Sequence, residues 1–149
     1  MRESNTEKSF IDYAIEQALK CGKDVPVGAT IVKNGEIIAR AHNEKEILQD
    51  VTGHAEILAI KEAQKKLKTY HLTDCEMYVT LEPCPMCAWA IINSGIKNVY
   101  FGAYDLQYGA MGSVLNLPKI ANSKINVYGG IKEFECKKII DDFFESIRK

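Results

Sequence analysis

From Met77 to Ile92 the chain reads MYVTLEPCPMCAWAII, a strand-like apolar run that leads straight into a helix-like one. Pro85 suits the first helical position, where its fixed φ is preorganised and its missing N–H is not needed. A strand that turns into a helix within three residues dictates a β–α unit with its turn at Cys84. Two cysteines, Cys84 and Cys87, sit at that helix start, where the dipole favours thiolate. Cys-x-x-Cys alone is ambiguous. It serves as half of a closed structural zinc site, as a dithiol redox pair, or as two ligands of an open catalytic zinc.

The flanking pattern extends the unit into an α/β domain. Phe10, Ile11, Ala14, Ile15, Ala18 and Leu19 recur at helical spacing, and Gly22 closes that helix. Two Val- and Ile-rich stretches then flank Asn34-Gly35, the pair that favours a tight hairpin. A helix is predicted from His54 to about Lys68, buried at its beginning and solvated at its lysine-rich end. Strands are predicted at about 97–102 and 125–128, followed by a last helix with Cys136, Ile139, Ile140, Phe143, Phe144 and Ile147 on one face. Helices alternating with strands imply a three-layer α/β fold, a mixed sheet between helices. With 149 residues, 46% hydrophobic and no repeat or linker, one domain spanning 1–149 is expected.

Composition narrows the class. The formal net charge is −1, so no strong basic field advertises nucleic acid, although a local basic groove is compatible with it. The opening MRESNTEKSF has no apolar signal core and no later run is long enough to span a bilayer, which predicts a cytoplasmic protein with no membrane partner. Five cysteines, an odd number, argue for reduced thiols rather than a secreted disulfide framework. Cys21 and Cys136 are expected on helices, as packing residues.

A third metal ligand is found in GHAEIL, residues 53–58. His54 opens a helix as the cysteines do, and the 29 residues between it and Cys84 suffice for one helix, a loop and a returning strand. The two helix starts then meet at one edge of the sheet, giving His54, Cys84 and Cys87, a mixed nitrogen and thiolate set that suits zinc. Cys75 lies at the far end of the intervening strand, roughly 17 to 20 Å away, and cannot close the site. The fourth position is therefore open to water, and Glu56 is placed to carry that water's proton once the metal lowers its pKa to about 7. Each piece has a plainer reading: a capping histidine, a first-turn glutamate facing the dipole, a redox dithiol. The joint pattern His54-x-Glu56 with Pro83-Cys84-x-x-Cys87 is the signature of zinc-dependent nucleobase deaminases.

The segments DVPVGATIV, IIARAHN, GHAEILAI, YVTLEPCPMCAWAII, VYFGAYD, GAMGSVLNL and DDFFESIR, in this order, resemble the bacterial tRNA-specific adenosine deaminases of the cytidine deaminase superfamily from about residue 8 to 148. The resemblance implies a cytidine deaminase-like fold with a five-stranded mixed sheet, one Zn2+ per chain, and a homodimer whose partner helps build the RNA surface. It implies conversion of adenosine to inosine at the first anticodon (wobble) position of tRNA, with the anticodon loop as partner. Glu56 would then move protons to the ring N1 and to the leaving amino group. Asn43 matches the asparagine that bonds the base, Val27 a pocket wall, Asp105 the acid beside the target sugar, and Phe144 an aromatic of the terminal RNA-contacting helix. Plainer roles compete here too: Asn43 as a turn cap, Asp105 as a strand end, Phe144 as a core residue.

Some positions depart from the family pattern. Gln107 stands where many members carry lysine, Trp89 where they carry glycine, Ser123 where they carry histidine, and the basic tail shrinks to Arg148-Lys149. Against them, lysines at 65, 66, 68, 119, 124, 137 and 138 offer a local basic track. Trp89, in a wholly apolar helix, is expected in the core, or else narrowing the pocket for a smaller substrate. The alternatives are thus a deaminase of a free nucleobase or nucleoside (guanine, cytosine or adenosine) at the same zinc, a non-enzymatic zinc-stabilised binding domain, and a dithiol oxidoreductase.

Overall fold

Asn34 and Gly35 both adopt positive φ, 51° and 77°, the twist-matched turn that folds β1 (Gly28–Lys33) back onto β2 (Glu36–His42). The computed structural model describes residues 8–148. β1 also pairs antiparallel with β3 (Cys75–Leu81), which runs parallel to β4 (Asn98–Ala103), which runs parallel to β5 (Asn126–Tyr128). The result is a five-stranded mixed sheet of order β2-β1-β3-β4-β5.

Side chains alternate across this sheet, so each face has its own cluster. Met77 and Val79 of β3 point toward α3 (Ala55–Leu67) and α4 (Pro85–Ser94), where Ala59, Ala63, Ala88 and Ile91 close the larger core. Tyr78 points the other way, toward α1 (Phe10–Ala18) and α6 (Glu133–Ile147), where Ile11, Ala14, Ala103 and Cys136 are buried together. Ser9 caps α1, its backbone N–H and hydroxyl both donating to Asp12, and Lys132 ties the start of α6 to the same carboxylate at 2.6 Å. Gly28 is required where α1 crosses β1: a Cβ there would lie 2.8 Å from Cβ of Gln17 and closer still to α1 backbone. The short helices α2 (Lys45–Leu48) and α5 (Leu117–Ile120) lie in the connections after β2 and β4.

Pairing of β1 with β3 ends at Ala29 and Val79; beyond it the Gly28 N–H turns to the Thr80 hydroxyl at 3.1 Å. The strands part there, at the end of β3 that leads into α4.

Three expectations need correction. Cys21 is not on a helix: α1 stops at Ala18, and Cys21 lies in the following turn, its thiol donating to the Val27 carbonyl. Trp89 is not core but 48% exposed, because α4 buries Cys87, Ala88 and Ile91 and turns Trp89 outward. The apolar stripe of α6 is only partly covered: Cys136 is buried, while Phe144 is 39% and Ile147 61% exposed. Among the described residues no helix is long and apolar enough to cross a membrane.

Candidate active site

Two helices begin where β1 and β3 separate. His54 is the N-cap of α3 and Cys84 the N-cap of α4, both with extended backbone (ψ 148° and 173°). Cys87, one turn further along α4, is fully buried. His54 Nδ1 lies 3.8 Å from Cys84 Sγ and 3.4 Å from Cys87 Sγ, and the three donor atoms all fall within 4.8 Å of one another. A tetrahedral zinc with ordinary Zn–N and Zn–S bonds separates its nitrogen and sulfur ligands by about 3.6 Å, so both nitrogen–sulfur separations suit that ion. It is the one such cluster of three among the described residues. Cys75 is buried in the core at the start of β3 and Cys136 on the opposite face of the sheet, so neither reaches it.

The cluster opens into a cavity of about 580 Å³ whose lining includes His54, Glu56 and Cys84, a volume in the usual range for small-molecule sites. Val27, Asn43, Asp105 and Phe144 also line it, so all four residues expected to meet substrate are brought together there. Asn43 is a clasp. Its Nδ2 donates to the Val25 carbonyl and its Oδ1 accepts from the Ala55 N–H, both at 2.8 Å, holding the loop before β1 against the start of α3. Asp105 shapes the opposite loop, its Oδ1 accepting from the N–H groups of Gln107 and Tyr108 at 3.0 Å. Val27 is 5% exposed and forms a wall, whereas Phe144 stands at the mouth.

Residues 5–148 match the family model of the MafB19-like deaminases. The chain is 44% identical to the tRNA-specific adenosine deaminase of Bacillus subtilis over 147 residues, covering 96% of this chain and 91% of that one. It is 43% identical to the enzyme of the same name from Aquifex aeolicus over 144 residues, 93% of this chain and 94% of that one. This chain belongs to the tRNA-specific adenosine deaminase family. A solved structure from a study of A-to-I editing by tRNA:A34 deaminases superimposes with a TM-score of 0.84 at 39% identity, covering 87% of this chain and 97% of that one. The α/β architecture is therefore that of the cytidine deaminase-like enzymes, and the chain is a deaminase by family.

Within that family frame the electrostatics of the cluster are informative. In the metal-free chain a hydrogen bond from Cys87, aided by His54, pulls the Cys84 thiol down to about 4, while the same bond and burial push Cys87 up. The Cys84 contact raises His54. With Cys84 already favouring the thiolate, a dication bound here takes the place of the proton on Cys87. Glu56, 4% exposed in the first turn of α3, is pushed up to about 7 by burial. A carboxyl group near neutrality can both accept and return a proton.

Three features were not read from the sequence. Glu82 is buried, and its carboxyl group accepts from the N–H groups of Asp105, Met111 and Ser113 at 3.0 to 3.1 Å and from the Ser113 hydroxyl at 2.5 Å. It clamps the loop that carries Asp105. Gly109 makes room for it, since a Cβ there would lie 2.5 Å from the Glu82 carboxyl. The available signal was an acid closing an apolar strand just before Pro83. Exposed Lys23 and Lys45 line the cavity, whereas Lys137 and Lys138, part of the expected basic track, pair with Asp141 and Asp142 along α6. Trp89 does not line the cavity, so it narrows no pocket.

Proposed function

We propose that this chain is a single zinc-dependent deaminase domain, residues 1–149, that converts adenosine to inosine at the wobble position of a tRNA anticodon loop. The observation that carries the reading is the convergence of His54, Cys84 and Cys87 beside the buried Glu56 on the wall of an open cavity. Zinc, when bound by these three donors, would polarise a water and bring its pKa to about 7. Glu56 would take a proton from the attacking water and deliver it to N1 of the purine, which makes C6 electrophilic. Once the water oxygen has added at C6, Glu56 would carry the proton remaining on that oxygen to the amino group, so that the C6–N bond breaks, ammonia leaves and the C6 carbonyl of inosine forms. Asn43, anchored at both ends of its amide, presents a fixed edge to the base, Val27 packs on its face, Asp105 faces the sugar and Phe144 the strand beyond it.

An extruded adenosine in an anticodon loop is already poorly stacked, so its capture costs only a few kcal/mol. The open mouth with Lys23 and Lys45 suits a polymer better than a free base, which needs a pocket that closes. The exposed Met86 and Trp89 on α4, with exposed Ile120 on the neighbouring α5, support a homodimer buried along this face. A tRNA substrate suits a cytoplasmic enzyme. The deciding experiment incubates zinc-loaded protein with bulk tRNA and, separately, with free adenosine, guanine and cytosine, scoring inosine and ammonia. Inosine in tRNA that falls steeply as salt rises is the expected result. Efficient turnover of a free base or nucleoside with tRNA untouched at low salt would replace this reading with the free-base one.

A further inference from the structure

The cavity changes chemistry between floor and mouth. Glu56 and Val27 are nearly inaccessible at the floor, while Tyr104, Leu106 and Tyr108, on the segment after β4, are 46%, 84% and 59% exposed at the mouth. Large apolar side chains left in water beside a cavity are unusual unless something covers them. This wall carries no cation. Its other members are Asp105, Gln107, Ile140 and Phe144, whereas Lys23 and Lys45 come from the loop before β1 and from α2.

The wall is also held in place. Asp105 Oδ1 fixes the backbone N–H of Tyr108 at 3.0 Å, the Asp105 N–H is fixed in turn by Glu82 at 3.1 Å, and Gln107 Nε2 donates to the Tyr108 hydroxyl at 3.2 Å. Tyr104 leans edge-on against Phe101, ring centroids 5.1 Å apart. An aromatic ring on a pinned backbone, its hydroxyl engaged by a neighbour, on a wall whose lining residues include no cation, offers its face rather than a charge. The ligand that matches such a face beside a nucleotide cavity is an unpaired base, because every base has a π-surface.

We propose that Tyr108, with Leu106 beside it, forms a stacking subsite for the unpaired nucleobase next to the target nucleotide, while Lys23 and Lys45 meet the strand's phosphates. The inference rests on the RNA deaminase reading above. It divides recognition between two walls: the subsite contributes affinity that does not depend on salt, and the lysines contribute the part that does.

The test uses an anticodon stem-loop RNA in three forms, intact or abasic at the nucleotide 5′ or 3′ of the target, with wild-type, Tyr108→Ala and Tyr108→Phe enzymes. On intact RNA, Tyr108→Ala is expected to raise KM by about 5- to 150-fold, the range of base–aromatic stacking measured by alanine substitution, with kcat little changed. Tyr108→Phe should behave as wild type. On one of the two abasic RNAs wild type should lose the same factor, and Tyr108→Ala should lose no more. The slope of log KM against log salt should be common to wild type and Tyr108→Ala. An unchanged KM for Tyr108→Ala, or a loss that persists undiminished on both abasic RNAs, overturns the subsite while leaving RNA deamination intact. Failure of the wild type itself on intact RNA, with turnover of free adenosine or guanine, overturns the RNA reading and the subsite with it.

Discussion

Glu82→Ala is the most searching perturbation of this architecture, because one buried side chain holds the loop from Asp105 to Ser113. Its carboxyl group accepts four hydrogen bonds, three from backbone N–H groups. Bonds to a charged acceptor are worth about 1.5 to 3 kcal/mol each, but the sum does not apply. Ser113 is exposed and Asp105 half-buried, so water can reach their N–H groups in the variant. The Met111 N–H is buried and cannot be rescued in this way. One orphaned buried donor costs about 1 to 3 kcal/mol, and partial losses at the other three bonds bring the total to about 3 to 5 kcal/mol. For a chain of this size that lowers Tm by roughly 6 to 20 °C. Glu82→Gln keeps one carbonyl acceptor and should fall between. Urea unfolding and calorimetry on the zinc-loaded protein measure the effect, and kcat/KM on RNA should fall as Asp105 loses its support. A Glu82→Ala variant within 1 kcal/mol of wild type would refute the clamp and mean that the loop is held by other contacts.

Other outcomes follow from the site. Cys87→Ala should bind less than one zinc per chain by metal analysis and unfold more easily; full zinc content would remove Cys87 from the ligand set. Glu56→Gln should retain zinc yet lose turnover by about 10²-fold or more. In the metal-free chain Glu56 also makes stability depend on pH: its folded value near 7 lies above the ordinary 4.5, so the native state keeps the proton longer. That contribution is complete below about 4.5 and is lost as pH rises toward 7, and Glu56→Gln should flatten this part of the unfolding profile. Trp89→Glu should shift sedimentation from dimer to monomer at micromolar concentration without loss of zinc; a wild type that sediments only as monomer would rule out the dimer.

Much of this molecule is legible as local pattern. Asn34-Gly35 specifies its hairpin because both residues tolerate positive φ, and Pro85 after an apolar strand specifies the start of α4. The candidate ligand set is legible for the same reason: His54 and Cys84 each immediately precede a predictable helix, and a helix, a loop and a returning strand suffice to bring one back to the other. What local pattern could not decide was which face of an apolar helix meets the core. Trp89 and the α6 stripe look buried in sequence, yet only packing against the sheet determines that Ala88 and Ile91 turn inward and that Phe144 stays at the cavity mouth. Glu82 is the sharper case. Its three loop partners lie 23 to 31 residues away, and nothing in an isolated Glu-Pro dipeptide says that distant backbone N–H groups will converge on that carboxyl group. Periodicity and turn chemistry act over a few residues, so they determine elements. Burial and hydrogen-bond satisfaction are properties of the assembled chain, so only the tertiary structure could decide them.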